Sequence, residues 1–212
     1  MAVGGGFFLN LLDGTLLARI GRMFEREVGQ ELRQTKGVYG VVSDVSFKGC
    51  NVDHVVLCPR GVLAVEVKGL LGRRQDLARM HGRSDKLAQT HASARKIRSM
   101  LRSGGLGGVP VIPVLVLAGP GVPMMDGTEY EDGVRVLAFR DSNDWRPQLA
   151  ATDLPVVLEE ATAKRAAEVL LEHTRRRTRH QQEQASTSRA TVPGPRRGTA
   201  VTSASSPRRA GV

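Results

Sequence analysis

Asp53, Glu66 and Lys68 are residue types that could together hydrolyse a phosphodiester. Asp53 opens the strand-like run Val52 to Leu57, and Glu66, Val67 and Lys68 close the run Val62 to Lys68. Cys58-Pro59-Arg60-Gly61 separates the two runs and reads as the turn of a hairpin. If Cys58 pairs with Gly61, then Leu57 faces Val62 and Asp53 faces Glu66. Glu66 and Lys68 are two residues apart and share a face, whereas Leu63, Val65 and Val67 point the other way. Two hard oxygen ligands suit Mg²⁺ (or Mn²⁺), an ion that keeps several waters and needs only one or two carboxylates. Such an ion polarises a phosphodiester oxygen and acidifies a bound water. Lys68 is placed to orient that water or to stabilise charge in the transition state. Two alternatives stay open. An αL bulge at Gly61 would shift the register by one and set Asp53 opposite Val67. The acids and the lysine are equally compatible with a plain solvated strand face.

The surrounding pattern supplies the elements that must position these residues. Leu16, Ile20, Phe24, Val28 and Leu32 recur at helical spacing and predict a helix over about 15–35, with Thr15 as cap and Gly37 as stop. Glu31 falls at the edge of its apolar face. Gly40 to Phe47 reads as a strand before the hairpin, and 69–83 as a loop. Ser84 or Asp85 caps a second helix, to about Arg102, with the stripe Leu87, His91, Ala94, Ile97 and Leu101. Val111 to Ala118 is nearly continuously apolar, as expected of a central strand. Val134 to Phe139 is another strand, Pro155 to Leu158 a short doubtful one, and Glu160 to His173 a last helix. This order predicts an α/β domain over 15–173, with a mixed central sheet flanked by helices, after an N-terminal arm of 1–14.

Composition narrows the classes. The chain has 212 residues, a formal charge of +10 and only 4% aromatics, too few for a nucleic-acid platform built on stacked rings. Residues 174–212 hold nine arginines against Glu183, a net +8, so residues 1–173 carry only +2 of the total. This tail is poor in apolar groups and is expected to be disordered. It reads as an electrostatic tether to nucleic acid, as a solubilising segment, or as a patch for an anionic membrane. Cys50 and Cys58 form no metal-type spacing and suit a reducing cytoplasm. No apolar stretch is long enough to span a bilayer. The histidines at 54, 81, 91, 173 and 180 lack paired ligand spacing, and His54 reads as a hydrogen-bonded structural residue. The glycine clusters at 104–108 and 119–121 lack the Lys-Ser/Thr of a phosphate loop.

The stretch Val52-Asp53-His54-Val55-Val56-Leu57, followed by Pro59-Arg60-Gly61 and Val62 to Gly69 with Glu66-Val67-Lys68 inside it, resembles the nuclease-related (NERD) domain. Gly29-Gln30-Glu31 resembles that family's Gly-x-Glu helix, and Gln89 with His91 its Gln-containing helix; the likeness covers about 22–140. It implies a restriction-endonuclease-like PD-(D/E)XK core and a Mg²⁺-dependent nuclease, with DNA the favoured substrate. It also implies Asp53 and Glu66 as metal ligands, Lys68 as catalytic, Glu31 as a further acid and Gln89 as accessory. A surface glutamine is the plainer reading of Gln89. The sequence departs from the family after Lys68, where Gly69-Leu70-Leu71-Gly72 stands in place of an Asn-Gly with an aromatic beyond. The competing expectation is a catalytically silent nucleic-acid-binding or scaffolding module on the same fold.

Overall fold

A computed structural model of the chain describes residues 15–73, 77–123, 125, 129–139 and 158–190. The predicted arm 1–14 and most of the doubtful strand at Pro155 to Leu158 lie outside these residues. Helix α1 (Thr15–Gln34) is followed by strands β1 (Gly40–Phe47), β2 (Cys50–Cys58) and β3 (Gly61–Gly69). A 3-10 turn at Leu77–Arg79 precedes α2 (Arg83–Ser103), and then come β4 (Val111–Ala118), β5 (Glu129–Glu131), β6 (Val134–Phe139) and α3 (Glu160–Ala190). The chain divides after Arg177 into two units, and the sheet and site belong to the first.

The sheet is six-stranded and mixed, in the order β1-β2-β3-β4-β6-β5. β1 and β3 each run antiparallel to β2 between them; β3, β4 and β6 are parallel; β5 is antiparallel to β6. Phe24, Val28 and Leu32 of α1 pack with Leu63, Val65 and Val67 on one face. Ala94, Ile97 and Leu101 of α2 and Ala163, Ala166 and Leu170 of α3 pack with Val62 and Ala64 on the other. This is the expected α/β architecture, consistent with a restriction-endonuclease-like core. No helix among the described residues is long and apolar enough to cross a membrane.

The hairpin adopts the unshifted register: Cys58 pairs with Gly61, Leu57 with Val62, and His54 with Val65. Gly61 has a positive φ of 128° but adds no residue to the ladder, so the bulged alternative is excluded. β5 was not apparent in the sequence because three residues are too few to show alternation. Its signature is the turn after it, Asp132-Gly133, with φ of 50° and 75°, the two-residue chemistry that hairpins favour.

Two other expectations are corrected. α2 begins at Arg83 after Gly82 in the αL conformation, with no side-chain cap from Ser84 or Asp85. α3 does not stop at His173 but continues to Ala190, through 174–190 where disorder was expected. That stretch has no Gly or Pro and is rich in helix-forming Arg, Gln and Ala, so propensity carries the helix past the last apolar anchor. Arg176 donates to Glu172 one turn back at 2.7 Å. Residues 191–212 lie outside the described ones.

A Cβ at Gly61 would sit 2.8 Å from the Pro110 carbonyl oxygen, which accepts the Val62 amide at 2.9 Å. Gly61→Ala therefore combines an unfavourable φ with a clash against backbone. It should lower unfolding free energy by about 2–4 kcal/mol in urea denaturation; an unchanged midpoint would contradict this account of the turn.

Candidate active site

β3 places Glu66 one residue before the α1-facing Val67, so its side chain points to the opposite face, toward α2. Its carboxylate is 1% exposed. Lys68 donates to Oε1 at 2.8 Å and the Gln89 amide to the same oxygen at 2.5 Å. The Ser93 hydroxyl donates to Oε2 at 3.3 Å. Gln89 and Ser93 are one helical turn apart on α2, so one helix face closes over both carboxylate oxygens. Gln89 is an exposed residue, but its amide head reaches the site, as the resemblance implies. A carboxylate this deep costs several kcal/mol unless it is bonded, and these three donors are the compensation.

Asp53 sits where the hairpin forks. The β2–β3 pairing ends at His54 and Val65. Continued alternation would give the Val67 amide to β2 backbone. Instead Asp53 Oδ2 accepts it at 2.7 Å. The inward–outward alternation of β2 also breaks here: Val52 is buried with Val55 in the cluster facing α2 and α3, although three residues separate them. Across the ladder, Asp44 has φ 55° and drops out of an otherwise continuous β1–β2 register. The paired irregularity turns the Asp53 carboxyl along the sheet, toward β3. Burial and the charge of Glu66 push its pKa up to about 7, against the stabilising Val67 amide.

A cleft of about 390 Å³ opens beside Asp53, between α1 and the middles of β1 and β2. Asp44, Asp53 and Glu25 line it together with His54 and Ser43, and Arg22, Arg26 and Arg33 of α1 form its rim. Burial raises the pKa of Glu25, with Asp44 and Glu66 adding to the rise and Lys68 and Arg22 opposing it. The acid that α1 contributes is thus Glu25. Glu31 is half-buried and is not among the cleft-lining residues. Six residues separate the two, which at about 100° each leaves them about 120° apart around the helix. The resemblance drew attention to Glu31 through Gly-x-Glu spacing; the signal for Glu25 was its place directly after the buried Phe24, toward the Gly29 side of the helix.

His54 is the structural residue expected. Its Nδ1 lies 3.0 Å from Ser43 Oγ, and its Nε2 lies 2.8 Å from the Glu25 carbonyl. Arg33 donates to the same Ser43 hydroxyl at 2.8 Å. Burial holds the ring's pKa below its usual value, so it is neutral, with Nε2–H donating to the helix carbonyl. A Cβ on Gly29 would come within 2.6 Å of this ring, so glycine is what lets α1 lie close enough to bring Glu25 to the cleft.

Residues 20–118 match the family model of the nuclease-related domain. Over that segment the chain is similar to the nuclease-related family. No curated protein and no solved structure significantly matches it. The matched segment holds α1, the β1–β3 meander, α2 and β4, and therefore every residue of the site. Among the described residues no three His, Cys, Asp or Glu side chains converge as a ready metal cage. The donor set of the site nonetheless fits a hard divalent cation. Asp53 and Glu66 supply oxygen, and their mutual repulsion is of the kind a cation relieves; water would complete the shell.

Without metal, ionising Asp53 should destabilise the fold. Its native pKa of about 7 lies above the unfolded value near 3.8. The favourable contribution is complete below the unfolded value and is lost as pH rises toward 7, at about 1.4 kcal/mol per pH unit. In EDTA, Asp53→Asn should therefore gain on the parent in melting temperature between about pH 4 and pH 7, with the gap level above that. Parallel melting curves across this range would show that Asp53 is not held neutral.

Proposed function

We propose that this nuclease-related domain is a divalent-metal-dependent nuclease that hydrolyses phosphodiester bonds of nucleic acid, with DNA its favoured substrate. The observation that carries the reading is the convergence at one fork of the sheet: Asp53 on the Val67 amide, and Glu66 joined to Lys68 at 2.8 Å. Asp53 and Glu66 would hold Mg²⁺ or Mn²⁺, which when bound polarises the phosphoryl oxygen and makes its water more acidic. Lys68 is about one-quarter exposed, so its ammonium reaches both the buried Glu66 and the solvent edge where a phosphate arrives. It orients the attacking water and offsets charge building on the phosphoryl oxygens. Gln89 and Ser93 keep the Glu66 carboxylate in one rotamer, a positioning role.

Asp53→Asn, Glu66→Gln and Lys68→Ala should each reduce Mn²⁺-dependent cleavage at least about 100-fold, the loss typical of a preorganised charged group, while circular dichroism stays that of the parent. A Lys68→Ala enzyme that cuts as well as the parent would refute the mechanism.

One observation favours a second reading, a catalytically silent nucleic-acid-binding or scaffolding module. Both oxygens of Glu66 already have donors, which also describes a carboxylate kept for structure. Mg²⁺ or Mn²⁺ titration separates the two: the nuclease gains melting temperature with either ion, and the silent module does not.

The Arg-rich C-terminus supports nucleic acid as the partner. Beyond Ala190 the chain carries Arg196, Arg197, Arg208 and Arg209 and no acid. Compared with the full chain, a chain ending at Ala190 should bind duplex DNA with a log affinity against log salt slope shallower by up to about 3.6, or about 0.9 for each phosphate no longer neutralised. Equal slopes would leave the segment a solubilising or membrane-surface role.

A further inference from the structure

Residues 1–173 are nearly neutral as a whole, but α1 sorts its charges. At about 100° per residue, Arg19, Arg22, Arg26 and Arg33 fall within about 60° of one another around the helix. Glu27 and Glu31 fall on the other flank, more than about 100° from the centre of that stripe. All four arginines are exposed. From Arg19 to Arg33 the row runs about 21 Å along the helix at 1.5 Å per residue. Its last three members form the rim of the cleft that holds Asp53, and Arg19 continues the row outward. The burial of Phe24, Val28 and Leu32 fixes which side of α1 faces the sheet, so the stripe cannot rotate away from the cleft. Arg33 is further steadied by its bond to Ser43, itself joined to His54.

We propose that this stripe is a phosphodiester-backbone track, which lays a nucleic-acid strand along α1 and delivers it into the cleft at Asp53. The inference rests on the nuclease reading of that site and names the surface that feeds it. Arginine suits the task because its planar guanidinium bonds phosphate with two N–H groups at once. The successive rises between the four residues, about 4.5, 6 and 10.5 Å, suit the repeat of an extended backbone. Nothing in the row reads a base: guanidiniums on phosphates give register and affinity without sequence preference. Glu25, within the cleft rather than on the row, lies on the acidic side of the boundary between binding surface and reacting centre. A strand on the track therefore meets positive charge until its scissile phosphate reaches the carboxylates.

The test compares the full-length parent with Arg22→Gln/Arg26→Gln and with the control Arg95→Gln/Arg102→Gln, whose exposed arginines lie on α2. Labelled single-stranded DNA and RNA of arbitrary sequence are titrated in EDTA over a range of salt, and cleavage is then followed with Mn²⁺. The C-terminal arginines are present in all three proteins, so they cancel. The track variant should bind about tenfold more weakly on every sequence, with a salt slope shallower by about 1.4. The control should match the parent. Mn²⁺ should raise the melting temperature of the track variant as it does the parent's, because Asp53, Glu66 and Lys68 are intact. If the track variant binds with the parent's affinity and slope, or no more weakly than the control, the track is wrong and the nuclease reading stands. If the parent binds but never cleaves, and the track variant loses binding, the nuclease reading fails and the track survives. A parent that binds neither DNA nor RNA overturns the track outright.

Discussion

The buried carboxylate of Glu66 is the constraint around which the site is arranged. A fully desolvated carboxylate in the middle of a sheet is tolerated only when donors reach both oxygens. β3 supplies one from its own face, Lys68 two residues on, and α2 supplies Gln89 and Ser93. Those two residues fix the rotation of α2 on the sheet as firmly as its apolar contacts do. The parallel β3–β4 pair then follows, because α2 is the connection that crosses from one strand to the other. On the opposite edge, β2 has to leave β3 for Asp53 to approach Glu66. The Asp53 carboxyl takes the place of a backbone partner for Val67 at that point.

Much of this was legible in the sequence, for a reason particular to hairpins. A two-residue turn sets the cross-strand pairs that follow it, so Cys58 opposite Gly61 leads to His54 opposite Val65; the expected Asp53–Glu66 pair falls one step past the end of that ladder. What period-two counting could not show is the break in alternation at Asp53, set by Asp44 in a left-handed conformation on another strand. Glu25 was hidden for a different reason. Of the three acids near one another on α1, only packing decides which faces the cleft, and it does so through the contact of Gly29 with His54. Gln89 looked like a surface residue because helical periodicity locates Cα positions, whereas a long amide can reach back over the helix edge. Ser93 carried no signal, since a small polar residue beside Ala94 reads as packing. The helix through 174–190 was missed because a lack of apolar residues argues against a core, not against helix.

Charge reads differently at the level of the whole domain and at the level of one helix. A net of only +2 over residues 1–173 suggests a surface with little overall pull on polyanions. Yet α1 keeps its arginines on the cleft flank and Glu27 and Glu31 on the other. Coulomb interactions at the protein surface are screened over about 8–10 Å, so a ligand samples the local arrangement, not the total. The C-terminal arginines and the α1 row are therefore separate features with separate salt dependence.

The electrostatics of the fork also bear on how it would hold the proposed cation. Asp53, Glu25 and Asp44 share one cleft with a single nearby ammonium, Lys68, which bonds Glu66. Burial makes ionisation of these acids costly and the neighbouring carboxylates make it costlier still, so Asp53 and Glu25 both have raised values. A divalent cation reverses the balance, because it favours the ionised form of every acid around it. Binding would then release the proton that Asp53 retains near neutrality, so affinity should climb with pH until that proton is gone. The proposed pair of carboxylate ligands, with Asp53 keeping a proton near neutrality, would depend on this coupling.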